Sequence, residues 1–162
     1  MQPEAVFPHI FQISISNGGV PKLGQPEALL TESGIVGDVQ RHTKYHGGPD
    51  RALCIYSLER ILALQQEQHP IFPGASGENL TIAHLDWELL VPGVRLRLGK
   101  QVVIEITSYT TPCRHIAPYF VGQDQDRVSQ KQHPGWSRLY AKVLNPGLLK
   151  VGDQVHLLPA EK

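Results

Sequence analysis

Apolar and polar residues alternate from Phe11 to Ser16, with Phe11, Ile13 and Ile15 on one side and Gln12, Ser14 and Ser16 on the other. A period of two marks a strand with one buried face, and Asn17-Gly18-Gly19 supplies the turn that ends it. The same alternation returns in Val94 to Leu98 and in Val102 to Ile106. Gly99-Lys100-Gln101 between them has the length of a hairpin loop, and Arg95 and Arg97 fall on the polar face of the pair. A further strand is predicted over Leu139, Ala141 and Val143, stopped by Asn145-Pro146-Gly147, and a last one over Gln154 to Leu158 after the Gly152-Asp153 turn. Helical periodicity is confined to residues 57–69, where Ser57 caps a run carrying Leu58, Ile61, Leu62 and Leu64 and Pro70 stops it. The polar stretch from Gly122 to Gly135 is expected to be a mobile excursion between strands, read either as a solvated loop or as a substrate lid. The pattern as a whole predicts a mostly β protein with one main helix and few short ones.

Composition bounds what such a fold can do. Leu, Ile, Val and Phe supply 47 of the 162 residues, enough for a hydrophobic core, and the length suits one domain over residues 1–162. Fifteen glycines and 13 prolines are spread along the chain as short breaks rather than gathered in one linker, which favours many short strands. Fifteen basic and 15 acidic side chains leave no net charge, so no basic field is present to hold nucleic acid. The first ten residues lack the basic start and apolar core of a secretory signal, and no run approaches the length of a membrane span. Cys54 and Cys113 stand 59 positions apart without a CxxC pair, so reduced thiols in a cytoplasm are expected. His42 and His46 are four apart, but no HExxH surrounds them.

Three segments concentrate chemistry. In His46-Gly47-Gly48-Pro49-Asp50-Arg51, preceded by Gly37-Asp38, glycine amides and a guanidinium could surround an anion, or the segment is a tight turn with Asp50 bonding its own backbone. In Gly74-Ala75-Ser76-Gly77-Glu78-Asn79-Leu80, a carboxylate and a carboxamide either recognise a ring edge bearing donors and acceptors or cap loop amides. In Tyr109-Thr110-Thr111-Pro112-Cys113-Arg114-His115, cationic neighbours could favour the thiolate that nucleophilic attack or soft-metal binding needs, or the cysteine is an inert core residue, as free cysteines usually are. Cys54, inside Ala52-Leu53-Cys54-Ile55, reads instead as a small core hydrophobe.

The ordered set Gly37-Asp38, His46-Gly47-Gly48, Gly77-Glu78-Asn79-Leu80-Thr81, Pro112-Cys113, Tyr140 to Val143 and Val151-Gly152-Asp153 resembles the MOSC domain family, named from the C-terminal part of molybdenum cofactor sulfurases. The resemblance runs from about residue 10 to 158. It implies a closed or nearly closed β-barrel of the kind also found in pyruvate kinase, and a pocket for the molybdenum cofactor, a phosphate-bearing pterin dithiolene (molybdopterin). On matching positions it implies that Cys113 ligates molybdenum or carries sulfur, and that His46, Gly47, Gly48, Asp50, Glu78 and Asn79 contribute to the pocket. The cofactor phosphate would suit Arg51, Arg114 or glycine-turn amides. The function so implied is reduction of N-hydroxylated small molecules with an external electron donor. The alternative is a non-catalytic carrier that moves sulfur or cofactor through a Cys113 persulfide, loaded by a cysteine desulfurase. Pyridoxal phosphate, associated with fused family members, is not expected. Lys100 departs from the aspartate that relatives often carry in the middle turn.

Overall fold

The computed structural model describes residues 6–39 and 48–160. Among the described residues eleven strands and one α-helix run in the order β1 (His9–Ile15), β2 (Leu23–Gln25), β3 (Glu27–Thr31), β4 (Gly34–Ile35), β5 (Leu53–Ser57), α1 (Leu58–Gln66), β6 (Leu80–Ala83), β7 (Arg95–Leu98), β8 (Val102–Tyr109), β9 (Leu139–Asn145), β10 (Gly147–Lys150) and β11 (Val155–Leu157). Short 3-10 turns fill the connections, the longest at Arg114–Tyr119.

The main sheet has the order β11-β7-β8-β9-β5-β6-β1-β2, and a small sheet β10-β3-β4 lies beside it. Among the described residues all pairings between these strands are antiparallel except β5 with β6. A parallel pair needs a crossover, and α1 provides it. The two far edges of the main sheet meet again. His9 bridges Gln154, the Ile10 amide donates to the Asp153 carbonyl at 2.9 Å, and the Val155 amide donates to the Pro8 carbonyl at 2.8 Å. The sheet does not close as one continuous ladder, but these contacts bring it to the barrel-like form the resemblance implies.

The hairpin forms in the expected register, with Leu98 opposite Val102 and with Leu96, Leu98, Val102, Ile104 and Ile106 all buried. Ser57 caps α1 by accepting the Arg60 amide at 3.1 Å, and Ile61 and Leu64 are fully buried. Leu62 is not on that face; one residue on from Ile61 turns it about 100° around the helix, and it is 47% exposed. The first strand also departs from its pattern. Ile10, Ile13 and Ser14 are buried while Phe11 is exposed, because a bulge between Ile10 and Gln12 shifts the register against β6 and reverses the faces around it.

The polar excursion is anchored, contrary to expectation. Val128 is fully buried, Arg127 makes a two-pronged pair with Glu67 beyond the end of α1, and the Tyr56 hydroxyl donates to the Trp136 carbonyl at 2.6 Å. Trp136 lies beneath both Arg60 and Arg127, at 4.8 and 4.2 Å from its ring centre. These contacts hold the segment against α1 and β5. No helix among the described residues is long and apolar enough to cross a membrane.

Candidate functional site

An open cleft lies where six segments meet, one of them the loop after β4, which contributes Val39. The turn after β1 contributes Gly19, Val20 and Lys22, β5 contributes Cys54, and the loop before β6 contributes Ser76, Gly77 and Asn79. The segment after β8 adds Cys113, His115 and Ile116, and the entry to β9 adds Arg138 and Tyr140. Strand alternation explains why β5 and β9 both serve two surfaces. Leu53, Ile55, Leu139 and Ala141 face the core, whereas Cys54 and Tyr140, directly opposite each other in register, face the cleft.

The back of the cleft is a buried ionic network centred on Asp38. Its carboxylate accepts the Lys22 ammonium at 2.6 and 2.8 Å, the Ser16 amide at 2.9 Å and the Asn79 side-chain amide at 2.9 Å. Lys22 and Asp38 side chains are 8% and 6% exposed, so the pair is sealed from water. Its extra hydrogen bonds are what make such a burial tolerable. Asn79 gives its second side-chain N–H to the Ser14 carbonyl at 3.3 Å and accepts the Cys54 amide at 3.1 Å. Both of its amide hydrogens are therefore engaged inside the protein, leaving none to donate to a ring edge. Asn79 instead ties β1, β5 and the Asp38 loop together.

Glu78 does not reach the cleft wall. Neighbouring side chains on an extended backbone point to opposite sides, and with Asn79 in the wall the Glu78 carboxyl turns into its own loop. There it accepts the Gly74 amide and, at 3.0 Å, the Ser76 hydroxyl. Burial raises its pKa to about 7, against the opposing pull of these hydrogen bonds and of the Arg138 charge.

The two thiols differ as their neighbours suggested, with one addition. Cys113 is half-buried in the wall at the start of the Arg114–Tyr119 turn. Cys54 is buried, yet it also lines the cleft, and burial pushes its thiol up to about 11. It stays protonated at neutral pH.

The expected cations sit elsewhere. Arg51 and Arg114 are exposed and neither lines the cleft; Arg51 stacks at 5.4 Å over the Tyr140 ring, outside the wall. Gly48 and Asp50 are exposed in the turn leading to β5, and the Asp50 carbonyl accepts the Thr107 hydroxyl. His46 and Gly47 lie outside the described residues. The positive charges in the wall are Lys22, committed to Asp38, and Arg138, which is 6% exposed and donates from Nη1 to the Ser76 carbonyl at 2.6 Å. Sequence reasoning passed over both. The available signal was a basic residue two positions before Tyr140, on the same face of a strand whose other face is wholly apolar. Among the described residues no three His, Cys, Asp or Glu side chains gather as a metal cluster, which leaves Cys113 as the accessible soft donor.

Comparison with known proteins gives the lineage. The chain is 30% identical over 145 residues to YflK, an uncharacterized protein of Bacillus subtilis, matching 89% of this chain and 64% of YflK. It is 34% identical over 137 residues to the protein YiiM of Escherichia coli, across 82% of this chain and 59% of YiiM. The chain thus spans about three fifths of the length of these two relatives. The crystal structure of Escherichia coli YiiM superposes with a TM-score of 0.67 at 25% identity, covering 94% of this chain and 71% of that one. A more distant relative, from Gibberella moniliformis, is named a reductase; it is 27% identical over 135 residues, 80% of this chain and 23% of its own. The MOSC domain model matches residues 42–156, most of the barrel and four of the six segments that build the cleft, and the chain belongs to the MOSC domain family.

Proposed function

We propose that the cleft binds the molybdenum cofactor with Cys113 as the thiolate ligand to the metal, and that the loaded protein reduces N-hydroxylated compounds with electrons from a separate redox protein. The observation that carries this reading is the position of Cys113, a half-buried thiol in the wall of an open cleft that also presents the buried guanidinium of Arg138. The residues fit the group. A soft thiolate suits a metal already held by sulfur, and an incompletely paired buried cation suits an anionic ligand. When bound, the cofactor would supply a metal centre that exchanges two electrons.

The chain's own residues prepare the place. The Asp38 network fixes the relative positions of β1, β5 and the loop before β6, so that Asn79 and Lys22 stand as rigid wall rather than as mobile donors. Glu78 pins the Gly74 to Ser76 turn from behind. Tyr140, whose phenol burial keeps protonated, and Cys54, likewise protonated, present neutral groups. The net reaction converts N–OH to N–H, consumes two electrons and two protons from outside, and releases water. A second reading is favoured by the partial exposure of Cys113: a persulfide there would be accessible for transfer to a client protein.

The test is metal and pterin analysis of the full chain produced in a cofactor-competent host supplied with molybdate. Wild type is expected to carry molybdenum and pterin in equal amounts, and Cys113→Ser to carry neither while unfolding at the same urea concentration. Cys54→Ala is expected to lose about 1 kcal/mol of stability. Turnover with an artificial electron donor separates the reductase from the carrier. A wild-type protein without pterin, or equal retention in Cys113→Ser, would overturn the proposal.

A further inference from the structure

Arg138 is buried, yet it is not neutralised. Its Nη1 is spent on the Ser76 carbonyl, its Nε has no hydrogen-bond partner, and no carboxylate lies within ion-pair distance of it among the described residues. Lys22, the other buried cation of the wall, is held by Asp38 on two oxygens and has its counter-charge. The Glu78 carboxyl, which feels the Arg138 charge, makes no ion pair with it; it is turned into its own loop and bound by Gly74 and Ser76.

A guanidinium cannot shed its proton at physiological pH, so an uncompensated one in a buried wall costs free energy in the empty protein. The cost is removed when an anion arrives. The planar fork also sets the shape of what it accepts: two oxygens on one centre, as in a phosphate or a carboxylate. Serine and glycine neighbours at Ser76 and Gly77 leave no acidic side chain in that part of the wall to compete.

We infer that Arg138 is the oxyanion-binding position of this cleft, holding the phosphate or carboxylate of the bound ligand through its unpartnered Nε–H edge. The inference rests on the reading of the cleft as a ligand site, but not on the identity of the metal or on Cys113. It moves the anion contact from the exposed Arg51 and Arg114 to the buried cation between the loop before β6 and the start of β9.

The experiment uses the full chain, purified without cofactor and titrated calorimetrically at low ionic strength with inorganic phosphate and, separately, with acetate. Wild type is expected to bind one of the two saturably. Preference for phosphate identifies a phosphate-bearing ligand, and preference for acetate a carboxylate-bearing one. Arg138→Gln retains a donor for Ser76 and is expected to weaken that binding at least about tenfold, the effect of losing one charge-assisted hydrogen bond. Arg138→Lys keeps the charge without the fork and is expected to fall between; it decides the matter if the glutamine variant does not fold. Lys100→Gln, on the exposed hairpin turn, serves as the unaffected control. Molybdenum and pterin content is read separately on wild type from a molybdate-supplied host, so failure here and failure of the cofactor reading give different results. Absence of saturable binding of either anion to wild type, or wild-type affinity in the Arg138 variants, would overturn the inference.

Discussion

Glu78 is a buried acid whose titration should be visible in the stability of the whole protein. Its ordinary carboxyl range is near 4.5 and its folded value is about 7, so the fold favours the protonated form. Stability from this group is therefore complete below pH ~4.5, falls as pH rises through the interval to about 7, and is level above it. The full difference is on the order of 3 kcal/mol, at 1.36 kcal/mol per pH unit of separation. Glu78→Gln places a neutral amide in the same volume, with an oxygen still able to accept the Gly74 amide. Urea unfolding of both proteins between pH 5 and 8 is the measurement. The variant should lack this part of the pH dependence and gain on wild type toward pH 8; parallel curves would show that Glu78 does not titrate in that interval. At this scale the sequence showed which segments matter better than which atoms do. Cys113 and Asn79 lie in the wall as their motifs suggested, but the role of Asn79 was invisible, because its partners Asp38, Ser14 and the Cys54 amide come from three distant segments. Arg138 was passed over for a related reason: a basic residue before a strand looks like a solvated end until tertiary packing buries it.

Elements were legible where local rules suffice. The β7–β8 hairpin and the capped helix α1 follow from alternation, loop length and one serine. The first strand was legible in place but not in face, since a bulge depends on the partner strand, and no property of Phe11 itself announces it. The loop before β6 shows a further dependence on approach between elements. Gly74 has φ +92°, and a Cβ built there would lie 2.2 Å from the Lys22 carbonyl oxygen, while its own carbonyl accepts the Lys22 amide at 2.9 Å. The glycine thus lets the loop press against the chain segment that carries the Lys22–Asp38 pair. Gly74→Ala combines backbone strain with a backbone clash and should cost roughly 3 kcal/mol or more. Gly93→Ala provides the comparison, for φ is +98° but nothing lies within 4 Å of the new Cβ, so strain alone should cost about 1 kcal/mol. Denaturant midpoints of the two variants measure the difference, and equal losses would show that the loop gives way without affecting its neighbour.

At the scale of the whole molecule the mostly β class was readable, whereas the full strand set and the closure were not: five strands were predicted where eleven stand among the described residues, and closure is made by the two ends of the described chain. β11 was read from the sequence as the last strand, but nothing in its three residues tells which strands it joins; it pairs with β7 on one side while it and the residues leading into it bond to Pro8 and Ile10 on the other. Val155 illustrates the double duty. Its amide donates to Pro8, its Cα faces Leu98 across the β7 pairing, and its side chain is 3% exposed in the core. Contacts between positions about 145 residues apart form only after most of the chain is placed, so they reward folding late and hold the finished sheet together. Ending the chain after Asp153 removes β11, uncovers the edge of β7 and leaves Leu96 and Leu98 paired only with β8. A loss of at least about 3 kcal/mol is expected, or of the cooperative transition altogether, since buried apolar contacts and a ladder go together. Ending it after Leu158 removes only residues beyond the last ladder contact and should leave the urea midpoint where it is. If both truncations unfold alike at the wild-type midpoint, the seam is ornamental and the open sheet is stable without it; if only the longer truncation fails, the contact between the ends of the sheet is what keeps the six segments of the cleft in one place.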